Sequence, residues 1–311
     1  MINLNSKFSQ SNKINKLLNL HKNSYILSLP SILGIILALV AIPVHLQING
    51  KSDYGNYIFF HFVISFGLLL NLGINKIVAI EIAKRRFIID IIKQCLKLSL
   101  KIILVILLIS LILHSQLRDY YNIFIIGIGL SITVFYLTLE SILQGFKNFK
   151  LLSIVNFVFY TLSLNIPSIF LLLNNNLDFK SLIKFSIFLK LFSILIILFY
   201  LKKFFKSMHK KNSKYRFSLN FKKYSKWYSL HLLNQQIFDF MDKYLIKIFI
   251  GPVALAIYSI PYQLAGKLTI LSKSISAVLL PEISYSNEKS SFNHSLNSFA
   301  FIIPIFILIT F

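Results

Sequence analysis

The sequence has little of what soluble, secreted and catalytic proteins usually carry. Its single cysteine, Cys95, cannot form an internal disulfide and has no Cys or His cluster around it. This excludes a disulfide scaffold, a structural zinc site and dithiol redox chemistry. Charged residues make up 14% of the chain, against about 25% in soluble globular proteins. No Gly-rich phosphate loop and no defensible Ser-His-Asp arrangement is present, so neither an ATP-driven pump nor triad catalysis is indicated.

Long hydrophobic runs are what the sequence has in abundance. Of its 311 residues, 56% are hydrophobic and 15% aromatic, and the mean hydropathy is +0.71. Many of the apolar runs extend over about 18 to 25 residues, which is long enough to cross the hydrocarbon core of a bilayer. The composition therefore predicts an all-α polytopic membrane protein and excludes a soluble enzyme or a disordered chain.

Eight apolar segments are predicted to span the membrane, and a ninth apolar run follows them. A cleaved signal peptide is the alternative for the first segment, but that segment is too long for a signal-peptide core and further spans follow it. The predicted spans are 24–48, 57–74, 98–113, 123–143, 151–173, 182–201, 227–249 and 254–280, with the ninth run at 299–311.

The excess of positive charge predicts the orientation. Lys and Arg total 33 against ten Asp and Glu, a net charge of +23, which by itself would also suit a nucleic-acid-binding protein. With the N-terminus inside, however, 23 of the 33 basic residues lie in the inner segments, and the outer gaps contain three: Lys51, Arg118 and Lys180. This bias follows the positive-inside rule and the attraction of basic loops to anionic lipid. We predict a cytoplasmic N-terminus and no nucleic-acid partner.

A basic loop divides the chain into two parts with a shared pattern. Segment 202–226 contains ten Lys and Arg and no acid. Gly50 and Tyr57 stand seven residues apart, as do Gly251 and Tyr258, and this offset of 201 places the first two spans on the seventh and eighth. Parallel repeats of this kind are typical of transporters. The predicted organisation is a cytoplasmic segment (1–23), a six-span lobe (24–201), the basic cytoplasmic loop (202–226) and a partial second lobe of about three spans (227–311).

Polar residues at membrane depth mark the candidate site, because they are costly there. Six polar residues of the seventh span fall within an arc of about 140° on a helix, opposite an apolar side. Within this stripe, Asp239 and Lys243 stand four apart, in the favourable order for an ion pair. Either the stripe lines a water-filled cavity, or its charges form a self-neutralising pair that helps the helix insert. The stripe consists of Gln235, Gln236, Asp239, Asp242, Lys243 and Lys247.

Other spans contain further polar residues. Gln263 and Lys267 share one side of the eighth span, and Lys267, near its middle, is predicted to face the cavity. Glu140 lies near the inner end of the fourth span, where an interfacial carboxylate is the favoured interpretation and a proton relay the alternative. No metal-ligand spacing connects the histidines in or near the spans, so no metal site is predicted; they are His45, His61 and His114.

Several short motifs follow one another along the chain. One is Gln236-Ile237-Phe238-Asp239-Phe240-Met241-Asp242-Lys243-Tyr244-Leu245-Ile246, followed by Gly251 and Leu255-Ala256-Ile257-Tyr258. The others are Asp53-Tyr54-Gly55-Asn56-Tyr57, Leu72-Gly73-Ile74, Ala83-Lys84-Arg85, Leu143-Gln144-Gly145-Phe146 and Leu280-Pro281-Glu282-Ile283-Ser284. In this order they resemble bacterial O-antigen flippases, in the polysaccharide biosynthesis branch of the multidrug/oligosaccharidyl-lipid/polysaccharide exporter superfamily. The resemblance extends over about residues 24–311.

The resemblance implies two six-helix lobes around a central cavity and a polyprenyl-pyrophosphate-linked oligosaccharide as substrate. In that picture, cationic residues in the cavity meet the pyrophosphate and the lipid tail stays in the bilayer. The resemblance makes Lys243, Lys247 and Lys267 the candidate cations, with Asp239 and Asp242 as candidate partners or coupling acids. The polar pattern of the spans adds Gln235, Gln236 and Gln263 as candidate substrate-binding residues and Glu140 as a candidate charge partner.

We therefore expect a flippase of the bacterial inner membrane that works by alternating access, without enzymatic activity, cofactor or metal. The expected partners are the lipid-linked oligosaccharide, anionic membrane lipid and the polysaccharide polymerase machinery. The alternatives are a multidrug or cation antiporter of the same superfamily, which would have net acidic cavity groups, and a membrane-embedded glycosyl- or acyltransferase, which would have acid or His clusters at an interface.

The ninth run gives one further expectation. Its 13 residues (299–311) rise only about 20 Å as a helix, against a hydrocarbon core of about 30 Å. Members of the family usually have about twelve or more spans, whereas this sequence stops in its ninth. We expect the 311-residue product to insert into the membrane without transporting.

Overall fold

The computed structural model describes residues 4–71, 73–84, 88–116, 121–174, 177–207, 219–268 and 270–285, and within these ranges the chain is helical apart from short turns. A π-helical segment, Phe157–Leu162, joins α7 to α8, and a second, Ile246–Ile250, follows α10. The helices are α1 (Leu4–Ile48), α2 (Gly50–Ser65), α3 (Gly67–Leu70), α4 (Ile74–Ala83), α5 (Ile88–Gln116), α6 (Tyr121–Gly145), α7 (Phe149–Asn156), α8 (Ser163–Phe170), α9 (Phe179–Ser207), α10 (Leu219–Leu245), α11 (Pro252–Leu268) and α12 (Ile270–Tyr285).

Long apolar segments dominate the first part of the chain. Besides five single helical segments among the described residues, one bent pair of helical segments is a sixth candidate span. Its two parts, Gly50–Leu70 and Ile74–Ala83, meet at 54°. These segments coincide with the first six predicted spans and fit a multi-pass membrane protein; the number of spans in the membrane stays a prediction. Five described segments are long and apolar enough to cross a membrane by themselves: Asn19–Ile48, Ile88–His114, Ile123–Gly145, Phe149–Phe170 and Phe179–Lys203.

The bend in the second span has a local cause. Gly73 has a φ of +68°, a left-handed conformation that favours glycine, and α4 begins directly after it. The Asn71 side chain accepts a hydrogen bond from the backbone N–H of Asn75 at 3.0 Å and donates to the Val134 carbonyl of α6 at 3.2 Å. The side chain thus satisfies a backbone donor that the bend leaves free, and it fixes the bend against α6.

The two glycines of the predicted repeat have the same structural role. Gly50 has a φ of +80° between α1 and α2, and Gly251 has a φ of +109° between the second π-helical segment and α11. At both positions one helix ends and the next begins within a residue or two. A positive φ suits glycine and few other residues, which explains a glycine at both positions; the repeat itself stays a prediction.

Buried apolar side chains form two clusters, and each contains a residue from the second part of the chain. The larger cluster includes Tyr136 and Phe159 and takes in Val278 from α12. The smaller cluster includes Tyr54 and Tyr57 of α2 and takes in Ala256 from α11. Accordingly, α11 packs along α2, while α12 packs against α1 and α4.

The outer surface of the first part is apolar, as a lipid-facing surface is. Large apolar side chains are exposed on three of the long helices, among them Leu39 on α1, Leu104 on α5 and Phe199 on α9. In water such a surface would mark an interaction site, whereas in a bilayer its natural neighbour is hydrocarbon.

The second part differs from the sequence-based expectation in its helix lengths. The predicted eighth span, 254–280, corresponds to α11 and α12, which are 17 and 16 residues long. The predicted seventh span lies within α10 and the second π-helical segment. The ninth run, 299–311, and most of the basic loop 202–226 lie outside the described residues.

Candidate functional site

The charged stripe of α10 packs its lysines against the aromatic rings of α2. Lys243 is 1% exposed. Its Nζ lies 3.7 Å from the centre of the Tyr262 ring on α11 and 5.2 Å from that of the Phe62 ring on α2. An ammonium over an aromatic face is stabilised by about 0.5–1 kcal/mol at an exposed site and by about 2 kcal/mol or more when desolvated. The Lys243 ammonium therefore connects α10, α11 and α2.

The ion-pair partner of Lys243 differs from the one that sequence spacing favours. The Lys243 Nζ lies 3.0 Å from Asp242 Oδ1 and donates a hydrogen bond to the backbone carbonyl of Asp239, not to its carboxylate. The Asp239 side chain is exposed. Spacing by four residues brings two side chains onto one helix face, but here the adjacent Asp242 turns toward the buried ammonium.

Asp242 is held in place from a second helix. Its Oδ2 accepts a hydrogen bond from the Tyr258 hydroxyl of α11, and its Oδ1 accepts one from the backbone N–H of Lys243 at 2.7 Å. The Asp242 side chain is 36% exposed. The pair thus consists of the fully buried Lys243 ammonium and the partly solvated Asp242 carboxylate, and the Tyr258 hydroxyl fixes the position of the carboxylate.

Lys247 repeats the arrangement one helical turn further along. Its Nζ lies 3.7 Å from the centre of the Phe59 ring on α2. No described acidic residue is within salt-bridge distance of this ammonium. Lys243 over Phe62 and Lys247 over Phe59 form what we call the lysine–aromatic ladder. Of the two cations in the ladder, Lys243 is neutralised by Asp242, whereas the described partner of Lys247 is the Phe59 ring.

The remaining predicted residues of the second part lie at different depths. Gln263 donates a hydrogen bond from Nε2 to the Tyr54 hydroxyl of α2 at 3.1 Å. Gln236 is half-buried and Gln235 is exposed. Lys267 belongs to α11, but its side chain lies outside the described residues. The structure therefore brings Gln263 to the contact with α2 and leaves the role of Lys267 as a prediction.

Backbone contact between α2 and α11 is unusually close. A Cβ atom at Gly55 would overlap the carbonyl of Pro252. Gly55 is fully buried between the two helices, so the absence of a side chain there is what allows α11 to lie along α2.

Glu140 lies away from the ladder, in a polar group of the first part. Its Oε1 accepts a hydrogen bond from Asn156 Nδ2 of α7 at 3.3 Å. The Lys76 ammonium of α4 is close enough for an electrostatic attraction to the Glu140 carboxylate.

Sequence reasoning missed two buried features of the first part. Lys190 of α9 is 5% exposed, and its Nζ lies 4.4 Å from the centre of the Phe159 ring. The Tyr57 ring packs between those of His45 and His61, at centroid distances of 5.3 and 4.8 Å. Tyr57 and His61 are four residues apart on α2, a spacing that places them on one face of the helix. That His45 joins them, and that Lys190 meets Phe159, is not indicated by the spacing, because those residues come from different helices.

The arrangement provides positive charge beside aromatic surface. Among the described residues, no group of three or more His, Cys, Asp or Glu is placed to hold a metal ion. The ladder combines ammonium groups and aromatic rings, which bind anionic or amphiphilic molecules without covalent chemistry.

Comparison with known families decides the wider class. Residues 20–286 match the family model described as polysaccharide biosynthesis protein. The chain belongs to the polysaccharide biosynthesis protein family. Proteins of this family are generally transporters or flippases rather than enzymes, and the family's role fits a membrane flippase in polysaccharide synthesis.

A solved structure supports the fold of this polysaccharide biosynthesis protein. A structure named protein A superposes on it with a TM-score of 0.69 at 15% sequence identity, covering 92% of this chain and 70% of the other. At this identity the likeness concerns the fold alone. No curated protein sequence matches the chain significantly.

Proposed function

We propose that this polysaccharide biosynthesis protein moves polyprenyl-pyrophosphate-linked oligosaccharide, such as an O-antigen unit, from the cytoplasmic to the periplasmic leaflet of the bacterial inner membrane. The two lobes open alternately, and no covalent chemistry takes place. Family membership supports the substrate class, because polysaccharide synthesis uses lipid-linked saccharides.

The lysine–aromatic ladder is the observation that carries the proposal. Lys247 lies in the second π-helical segment, is half-buried, has no described carboxylate partner and contacts the Phe59 ring of α2. A cationic side chain at membrane depth that has no carboxylate partner costs free energy unless an anion binds to it. A pyrophosphate group supplies that anion, and the apolar side of α10 leaves the polyprenyl tail in contact with hydrocarbon.

Lys243 then has a supporting role in the proposal. Its ammonium is already neutralised by Asp242 and enclosed by two aromatic rings. It holds α10 against α2 and α11 and thereby positions Lys247. Asp239, whose carboxylate is exposed on the same helix, is the proposed acid for coupling to an ion gradient.

Binding of a pyrophosphate lipid tests the proposal. The full chain in lipid nanodiscs is titrated with a polyprenyl pyrophosphate and, separately, with ethidium as an amphiphilic cation. We expect the pyrophosphate lipid to bind. Lys247→Met should lower its affinity about tenfold or more, since a hydrogen bond to a charged group contributes about 1.5–3 kcal/mol. Lys247→Arg should retain most of the affinity.

The matched control is Lys101→Met, which removes an exposed lysine from the apolar segment of α5 and should leave the affinity unchanged. Binding of ethidium without the pyrophosphate lipid would favour a cation antiporter instead. Expression of the chain in a strain that lacks its O-antigen flippase, scored by surface polysaccharide, measures transport itself and also tests the expectation that the 311-residue product inserts without transporting.

A further inference from the structure

A second polar surface lies on the first part of the chain, on the side turned toward α12. Tyr136, Glu140 and Gln144 stand at intervals of four residues on α6 and therefore share one face of that helix. Gln144 donates a hydrogen bond from Nε2 to the backbone carbonyl of Ala277 on α12 at 2.6 Å. The face of α6 that carries Glu140 is thus the face that meets the second part, one helical turn away from the contact.

Hydrogen-bonding groups are concentrated on this face. The Tyr136 hydroxyl donates to Asn156 Oδ1, and Asn156 Nδ2 in turn donates to Glu140 Oε1 at 3.3 Å. An ionised carboxylate accepts about four hydrogen bonds, and Asn156 provides one of them. Glu140 therefore has acceptor capacity left.

An aromatic ring borders this hydrogen-bonding group. Tyr160 lies in the first π-helical segment, about one turn after Asn156, and is 46% exposed. Its ring stands nearly perpendicular to those of Tyr136 and Phe159, with centroid distances of 5.7 and 4.9 Å. Those two rings stack on each other at 3.6 Å. Tyr160 is thus an exposed ring that a packed aromatic pair supports from behind.

The chemistry of this surface selects among possible ligands. A polyprenyl tail cannot form hydrogen bonds to the Asn156 amide or the Glu140 carboxylate. An anionic group would be repelled by Glu140. A pyranose ring combines an apolar C–H face, which packs on an aromatic ring, with a rim of hydroxyl donors and acceptors. Because Glu140 would repel a sugar carboxylate, the surface suits a neutral or N-acetylated sugar better than an acidic one.

We propose that Tyr160, Asn156 and Glu140 form a saccharide-binding surface that recognises the sugar of the lipid-linked substrate, separately from its pyrophosphate. This inference rests on the proposed function and assigns the two ends of the substrate to different helices. The sugar lies on the first part of the chain, and the pyrophosphate lies at Lys247.

The experiment compares lipids that differ only in their sugar. The full chain in nanodiscs is titrated with a polyprenyl pyrophosphate, with the same lipid carrying a neutral disaccharide, and with one carrying a uronic acid disaccharide. We expect the neutral glycolipid to bind about tenfold more tightly than the bare lipid, and the acidic one to bind less tightly than the neutral one. Tyr160→Ala should remove this preference and leave the affinity for the bare lipid unchanged.

Further variants separate the sugar surface from the pyrophosphate site. Tyr160→Phe keeps the ring and should keep the preference, whereas Tyr160→Leu, an apolar replacement without a flat ring, should lose it even if the alanine variant folds poorly. Lys247→Met should lower the affinity for the bare lipid and for both glycolipids by the same factor. Phe188→Ala removes a ring that is 61% exposed on α9 and is the matched control, expected to change nothing.

The outcomes distinguish the inference from the proposed function. Equal affinity of the unmodified chain for bare lipid and glycolipids would overturn the saccharide surface while the pyrophosphate site stands. A preference that survives in both Tyr160→Ala and Tyr160→Leu would overturn it as well. If none of the three lipids binds, the proposed function fails and the saccharide surface fails with it.

Discussion

Removing the two members of the buried ion pair separately should have unequal effects on stability. Asp242→Asn leaves the Lys243 ammonium, 1% exposed, without its counter-charge. Breaking a buried pair in this way costs about 3–5 kcal/mol. The two aromatic rings and the Asp239 carbonyl still contact the ammonium, so we expect a loss of about 3 kcal/mol in the free energy of unfolding.

Lys243→Met should cost less. Methionine keeps an unbranched apolar chain of similar length, and the Asp242 carboxylate that remains is 36% exposed and still bonded to Tyr258. Water screens such a group, so its loss of a partner contributes little. The main loss is the contact of the ammonium with two rings, which gives an expected cost of about 1–2 kcal/mol. In the double variant the two effects should not add, with a coupling of about 1–2 kcal/mol.

The chain provides two reporters for the measurement. Trp227, the single tryptophan, lies on α10, and Cys95, the single cysteine, is fully buried on α5. Unfolding in mixed micelles of increasing SDS content, followed by Trp227 fluorescence, gives the free energy for the region of the ion pair. Labelling of Cys95 by a thiol-reactive dye shows whether the first part opens in the same transition.

Asp239→Asn is the matched control, because this neighbouring carboxylate is exposed and contributes only its backbone carbonyl to the pair. It should change the free energy by about 0.5 kcal/mol or less. If Lys243→Met destabilises as much as Asp242→Asn, or more, the reasoning from the burial of Lys243 is wrong.

Two further predictions concern orientation and helix packing. Because Lys and Arg are concentrated in the inner segments, a cysteine introduced as Ser213→Cys in a Cys95→Ser background should resist an impermeant maleimide in intact cells; rapid labelling from outside would reverse the predicted topology. Gly55→Ala places a methyl group against the Pro252 carbonyl, so it should separate α2 from α11 and reduce cross-linking between cysteines introduced at Phe62 and Tyr262, while unchanged cross-linking would contradict the close approach.

The sequence by itself was sufficient for the class of protein and for the positions of most long helices. Hydrophobic length is a local property, and a run of about 20 apolar residues has few stable alternatives to a membrane helix. The sequence also paired Gly50 with Gly251 by their equal spacing from Tyr57 and Tyr258, whereas their positive φ values are known only from the structure. Motif order further indicated the family to which the chain belongs.

Tertiary structure alone decided which groups meet. Helical periodicity places Asp239, Asp242 and Lys243 on one stripe but does not say which neighbour covers it. Tyr258 of α11 orients Asp242, and Phe62 and Tyr262 enclose Lys243.

The same limit explains why Glu140 joins Asn156 and why Tyr160 lies exposed beside them. These contacts depend on how separate helices pack, and the fit between helix surfaces is determined by the whole set of neighbours. A period within a single helix predicts the face on which a residue lies, whereas its partner on another helix is set by the packed structure.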